Sequence, residues 1–180
     1  MLSKAKNRAQ SIACLSNLKQ LELCLHLYVM DNNDYFVPNN SIALAGSDAI
    51  LDQGLSWLPD TDADTEYDLS NIISGLLFAY NTSLPIYHCP SDQSLLTPIN
   101  GQPTTLRWRS YNLSQSINGY PQGQYGYNIP GSSLPSWSKY TEVRQPIPSG
   151  LFVFIDENAD TIEDAEFGSP PVGSSYQQNV

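Results

Sequence analysis

A chain of 180 residues with 41% apolar and 11% aromatic side chains has enough apolar surface to bury one core, so one globular domain is expected and two full ones are not. Eight Lys and Arg against eighteen Asp and Glu give a formal charge of −10, which offers little attraction to nucleic acid or an anionic bilayer and argues against both as partners of the body of the chain. No run of eighteen apolar residues is present, and no basic start leads through an apolar stretch to a cleavage site, so neither a membrane span nor a signal peptide is read in this sequence.

The charge is unevenly placed. Lys4, Lys6, Arg8 and Lys19 lie in the first nineteen residues, where no acid occurs. A basic start of this kind flanks a membrane segment, decorates an exposed helix or serves as a nucleic-acid arm. Residues 2 to about 30 are predicted to form a long helix, because Cys14, Leu18, Leu21, Leu25 and Tyr28 recur at steps of three and four, with Leu15 and Val29 beside them. Leu2, Ala5, Ala9, Ile12, Leu23, Leu27 and Met30 fall on roughly the opposite side, so the helix is apolar on two faces. Either it is sandwiched within its own domain, or it packs its domain on one face and neighbouring subunits on the other.

Asp31-Asn32-Asn33-Asp34 ends the helix with residues that favour caps and turns. Residues 39–68 read as loop. A short second helix is predicted from Leu69-Ser70 to about Asn81, with Ile72, Ile73, Leu76, Leu77 and Tyr80 at helical spacing. Pro90 restricts Cys89 to extended geometry, and Ser91-Asp92 suggests a turn. Leu106 to Leu113 is strand-like, Gly119 to Gly131 is turn-rich, and Gly150 to Ile155 is a continuous apolar run that reads as the best strand. Helices first and strands later predict an α+β fold, a long N-terminal helix on an antiparallel sheet with a second short helix and long loops. Residues 1–36 supply the helix, and residues 37–180 supply a head that forms a single domain with it.

Six stretches carry a resemblance: Leu2-Ser3-Lys4-Ala5-Lys6; Cys14 to Leu21; Tyr28 with Asp31 to Phe36; Cys89-Pro90-Ser91-Asp92; Arg109-Ser110-Tyr111-Asn112; and Phe152 to Glu157. In order and spacing they resemble the prepilin-type, pseudopilin-like proteins of planctomycetes and verrucomicrobia, some of which carry an H-X9-DG motif. This sequence has no counterpart of that motif. The resemblance implies a structural subunit of a type II secretion pseudopilus or a type IV pilus-like filament, not an enzyme. It implies a periplasmic or cell-surface location, with other pilin or pseudopilin subunits as partners through the N-terminal helix. A full-length form would be anchored in the inner membrane by an apolar segment upstream of Leu2, and no role with nucleic acid is implied.

Cys14 and Cys89 both fall in these stretches. Paired, they would close a loop of roughly 75 residues and stabilise the fold by about 4 kcal/mol; unpaired, they are two buried thiols. Cys24 reads as a core or interface residue.

Two acidic clusters, Asp60 to Asp68 and Asp156 to Asp164, offer hard oxygen ligands at alternate positions. Neither has the spacing of an EF-hand loop. Both are solvated acidic loops on the simplest reading; the second is the better Ca²⁺ candidate, because Asp156 closes the strongest strand, and Asp156, Asn158, Asp160 and Asp164 would be the ligands. Catalytic readings find little support. His26 and His88 are the only histidines, and a His88–Cys89 dyad on extended backbone would point its two side chains to opposite faces. No P-loop, dinucleotide turn or zinc-ligand spacing occurs. The rival to a structural subunit is a carbohydrate-binding module built from Trp57, Trp108 and Trp137; aromatic packing within the core is the competing account of those side chains.

Overall fold

The computed structural model describes residues 2–39, 56–59, 69–96, 104–119, 136–157 and 166–167. Helix α1 spans Leu2–Asp31. One of the two predicted faces packs: Cys14, Leu21, Cys24, Leu25 and Val29 are buried, and Leu18 and Tyr28 are partly buried against them. The first turns stand clear of the domain, with Ser3 to Ala9 all exposed. Leu15, expected beside the packed face, lies at its margin and is exposed.

The helix ends where Asn33 and Asp34 adopt φ of 52° and 72°, a left-handed geometry that Asn and Asp tolerate better than most residues. The Asp34 N–H donates to the Val29 carbonyl at 3.0 Å and the Asn32 N–H to Tyr28 at 2.9 Å, so the wrap satisfies carbonyls that the last turn leaves open. The chain then runs back along residues 137–140. Tyr35 forms an antiparallel bridge with Lys139, and the Phe36 N–H donates to Ser138 at 2.9 Å.

The predicted second helix is divided. Helix α2 covers only Ser70–Ser74, and a 3-10 turn at Phe78–Tyr80 follows. The break is at Gly75, whose backbone is extended at φ −63° and ψ 139°. The Leu76 N–H donates to the Ser56 carbonyl at 3.0 Å instead of continuing the helix. A packed neighbour has taken over the hydrogen bond that local periodicity assigns to the helix.

Strand β1, Tyr111–Ser114, is buried along its whole length and lies at the centre of a three-stranded sheet. Strand β2, Phe154–Asp156, pairs antiparallel with it, Tyr111 opposite Asp156 and Leu113 opposite Phe154. Strand β3, Glu166–Phe167, adds a parallel edge with Leu113 opposite Glu166. The architecture is α+β as predicted, and the third strand makes the sheet mixed.

Both predicted strands are shorter than their apolar runs. Leu106 pairs only through an isolated bridge to Leu95, and the ladder begins at Tyr111. In the run from Gly150, a 3-10 turn occupies Pro148–Gly150, and the first backbone bond to the sheet is Ser114 N–H to the Val153 carbonyl at 2.8 Å. β1 is four residues long, so it has partners for only the end of that run. The core lies between α1, the 3-10 segment Leu84–Tyr87 and the sheet. Trp57 is fully buried there, its ring edge-to-face with Phe154 at 5.5 Å.

Candidate functional site: the outer face of α1 and the centre that holds its inner face

The inner face of α1 is bolted to the chain at residues 84–92. A disulfide joins Cys14 to Cys89, with Cα atoms 4.9 Å apart. Asn17 donates to the Pro85 and His88 carbonyls at 3.2 and 2.9 Å, and Gln10 donates to the Pro90 carbonyl at 2.8 Å. The Tyr111 hydroxyl reaches the Cys14 carbonyl at 3.4 Å. The Asn17 and Gln10 bonds satisfy backbone carbonyls that the segment at residues 85–90 would otherwise leave open.

Asp92 organises the next layer. Its carboxylate accepts from the Ser94 N–H at 2.8 Å, the Ser94 hydroxyl at 2.6 Å and the Ser110 hydroxyl at 2.6 Å; the Ser110 oxygen in turn accepts from the Cys89 N–H at 3.1 Å. Burial alone would push this carboxyl up, but the Ser110 and Ser94 hydrogen bonds outweigh it and hold its pKa below the ordinary value. His88 lies 3.9 Å from it. Burial lowers the imidazole pKa more than Asp92 raises it, so at neutral pH the contact is between a carboxylate and a neutral ring. At Asp156 burial, with Asp92 nearby, pushes the carboxyl up.

Beside this, buried Arg109 donates to the side-chain oxygen of Asn112 and to the Tyr111 carbonyl. Asn112 donates onward to Glu157, whose own N–H returns to the Ser110 carbonyl at 3.0 Å. Four of the stretches that carry the family resemblance, around Cys14, Cys89–Asp92, Arg109–Asn112 and Phe152–Glu157, therefore converge on one centre. Sequence reading missed the parts of Asp92, Ser110 and Arg109; the signal available was that these residues sit inside the resembling stretches.

Ser110 is fully buried and donates to Asp92, not to His88, so the arrangement lacks the Ser-to-His contact that activates a nucleophile. Cys89 is bridged and has no thiol to offer. The sulfurs of Cys14 and Cys89 and the Asp156 carboxylate lie within 4.8 Å of one another, but a disulfide leaves one carboxylate as the only strong ligand in that group. Of the proposed Ca²⁺ ligands, Asp156 is placed at the exposed end of β2, while Asn158, Asp160 and Asp164 lie outside the described residues, as does the Asp60–Asp68 cluster. Trp57 is withdrawn into the core and cannot line a surface; Trp108 is exposed and Trp137 half-buried.

Comparison with protein-family models, with curated proteins and with solved structures returns no match.

The outer face of α1 is the other candidate. Ile12, Leu23 and Met30 expose 67%, 58% and 78% of their surfaces, and Leu27 is exposed as well. An apolar row of this length is unusual on a face that meets only water. On the flank of the helix a groove of about 560 Å³ runs between Glu22, Leu25 and Phe36 on one side and Val143, Ile147 and Leu151 on the other. Glu22 sits in it beside His26 at 3.2 Å, and burial pushes its carboxyl up despite the histidine. Among the described residues no helix is long and apolar enough to cross a membrane.

Proposed function

We propose that this chain is an extracytoplasmic structural subunit of a type II secretion pseudopilus or type IV pilus-like filament, in which α1 packs the head with its inner face and neighbouring subunits with its outer face. The observation that carries the reading is the division of α1: every large apolar side chain from Ile12 to Met30 on the outer face is exposed, while the inner face is fixed by a disulfide and side-chain hydrogen bonds. An element held this firmly with its second apolar face open is suited to carry subunit contacts. The disulfide is consistent with an oxidising compartment outside the cytoplasm. The basic first turns, Lys4, Lys6 and Arg8, are exposed, which suits the neighbourhood of phospholipid head groups in an anchored form.

The test is electron microscopy and cross-linking of the sheared surface fraction from cells expressing the gene at its native locus. Wild type should give filaments and a cross-linked ladder, and Leu23→Asp should give neither while the protein accumulates to the same level. A wild-type fraction with no filament and no ladder would overturn the reading.

A further inference from the structure

Eight residues of the outer face follow one another at alternating steps of four and three: Ala5, Ala9, Ile12, Ser16, Lys19, Leu23, His26 and Met30. All eight are exposed. Where the residues of such a row are apolar, one helix can supercoil with another along it; here Ala5, Ala9, Ile12, Leu23 and Met30 are apolar, and Ser16, Lys19 and His26 interrupt them. Over α1 the row covers about 38 Å at 1.5 Å per residue.

The order of residues along the seam selects the direction of the second helix. With a second copy laid antiparallel so that facing residue numbers add to 35, Ile12 meets Leu23, Met30 meets Ala5, Ala9 meets His26, and Ser16 meets Lys19. Ile12 and Leu23 fill the middle of each half, the long Met30 meets a methyl group, and the Lys19 stem passes beside a small side chain with its ammonium free to reach water. A parallel, in-register pair would instead stack Lys19 on Lys19 and one basic start on the other.

Charge agrees with the antiparallel arrangement. The first nineteen residues carry Lys4, Lys6, Arg8 and Lys19 without an acid, whereas from Gln20 to Asp34 the chain carries Glu22, Asp31 and Asp34 without Lys or Arg. Antiparallel packing lays the cationic half of each helix along the anionic half of the other and also opposes the two helix dipoles.

We propose that two copies of this chain pair antiparallel through the outer seam of α1, about a two-fold axis between Ser16 and Lys19. This rests on the reading of that face as a subunit contact and specifies its geometry. The contact is isologous and closes at two. It occupies the face that filament packing would use, so the pair and the filament are alternative states of one surface.

Sedimentation velocity over a concentration series of the full chain, with disulfide cross-linking of double variants, tests the pair. The expected result is a monomer–dimer equilibrium that stops at two, weakened at least tenfold by Leu23→Asp and by raising NaCl from 50 to 500 mM, about the scale expected when several screened charges contribute. At a concentration where the chain is monomeric, the variant's circular dichroism melt should stay unchanged, because Leu23 is exposed in its own chain. Ile12→Cys with Leu23→Cys, and Ala5→Cys with Met30→Cys, should each give an intermolecular dimer; Ala5→Cys with Ser16→Cys should not. Open-ended oligomers cross-linked through residues 5 and 16 would overturn the antiparallel pair and leave the filament reading standing. A monomer at every concentration would overturn the pair, while filaments in the surface fraction would still be able to uphold the subunit reading by themselves.

Discussion

Gly75 and Asp92 show how single residues set the shape around α1. A Cβ built on Gly75 would stand 2.3 Å from the Trp57 carbonyl oxygen, a backbone atom that cannot swing aside, so Gly75→Ala should destabilise by about 2 kcal/mol through overpacking, read as a lowered midpoint in urea. Asp92 ties three donors to one carboxylate, and Asp92→Asn should cost about 2 kcal/mol at pH 7. The sign of its pH dependence follows from the lowered pKa. Folding favours the ionised form, so the contribution is complete above the ordinary carboxylate value near 3.8 and is lost as pH falls through the lower value of the folded state. The melting-temperature gap between wild type and Asp92→Asn should therefore narrow below about pH 4. Asp156 has the opposite sign, its raised pKa opposing folding once it ionises, but at the exposed end of β2 solvent screens the effect, so Asp156→Asn should leave stability at pH 7 within about 0.5 kcal/mol of wild type.

At the level of the element, α1 has two faces of similar composition and different energetic standing. Leu21→Ala, at a fully buried position, should cost about 2 to 4 kcal/mol by loss of transfer energy and the cavity left behind. Leu23→Ala, two residues on and exposed, should stay within about 0.5 kcal/mol. Urea denaturation of both variants at a concentration where the chain is monomeric checks the contrast. The disulfide fixes the inner face in place. Its 75-residue separation gives about 4 kcal/mol in the chain-entropy account, so Cys14→Ala with Cys89→Ala should lower stability by that order, and dithiothreitol should reproduce the loss in wild type and leave the double variant unaffected. The periodicity that located both faces was plain in the sequence because a helix repeats every 3.6 residues whatever it packs against. The same periodicity overran at Leu76 to Tyr80, where a hydrogen bond to Ser56 from a distant loop ends the helix. It overran again at Gly150 to Val153, where a four-residue neighbour leaves most of an apolar run without a ladder.

For the whole molecule, the charge of −10 and the basic start of α1 belong to different regions, so association through α1 should weaken with salt while the fold of the head should not. Composition, length and periodicity by themselves determined the α+β class, the extent and end of α1 and the presence of two apolar faces on it, because each of these follows from local geometry and from how much apolar surface the chain must hide. Which face is covered was decided only by the tertiary structure. Burial depends on Ile86, Tyr87, Tyr111 and Leu113 arriving from far along the chain to meet the Cys14–Leu21–Leu25 side. The pairing of Cys14 with Cys89 was likewise open in the sequence, since two cysteines form a bridge only where the fold brings their Cα atoms within reach. The centre around Asp92, Ser110 and Arg109 was least legible of all. Its members are ordinary polar residues without a periodic signature, and long-range packing alone gives them one another as partners.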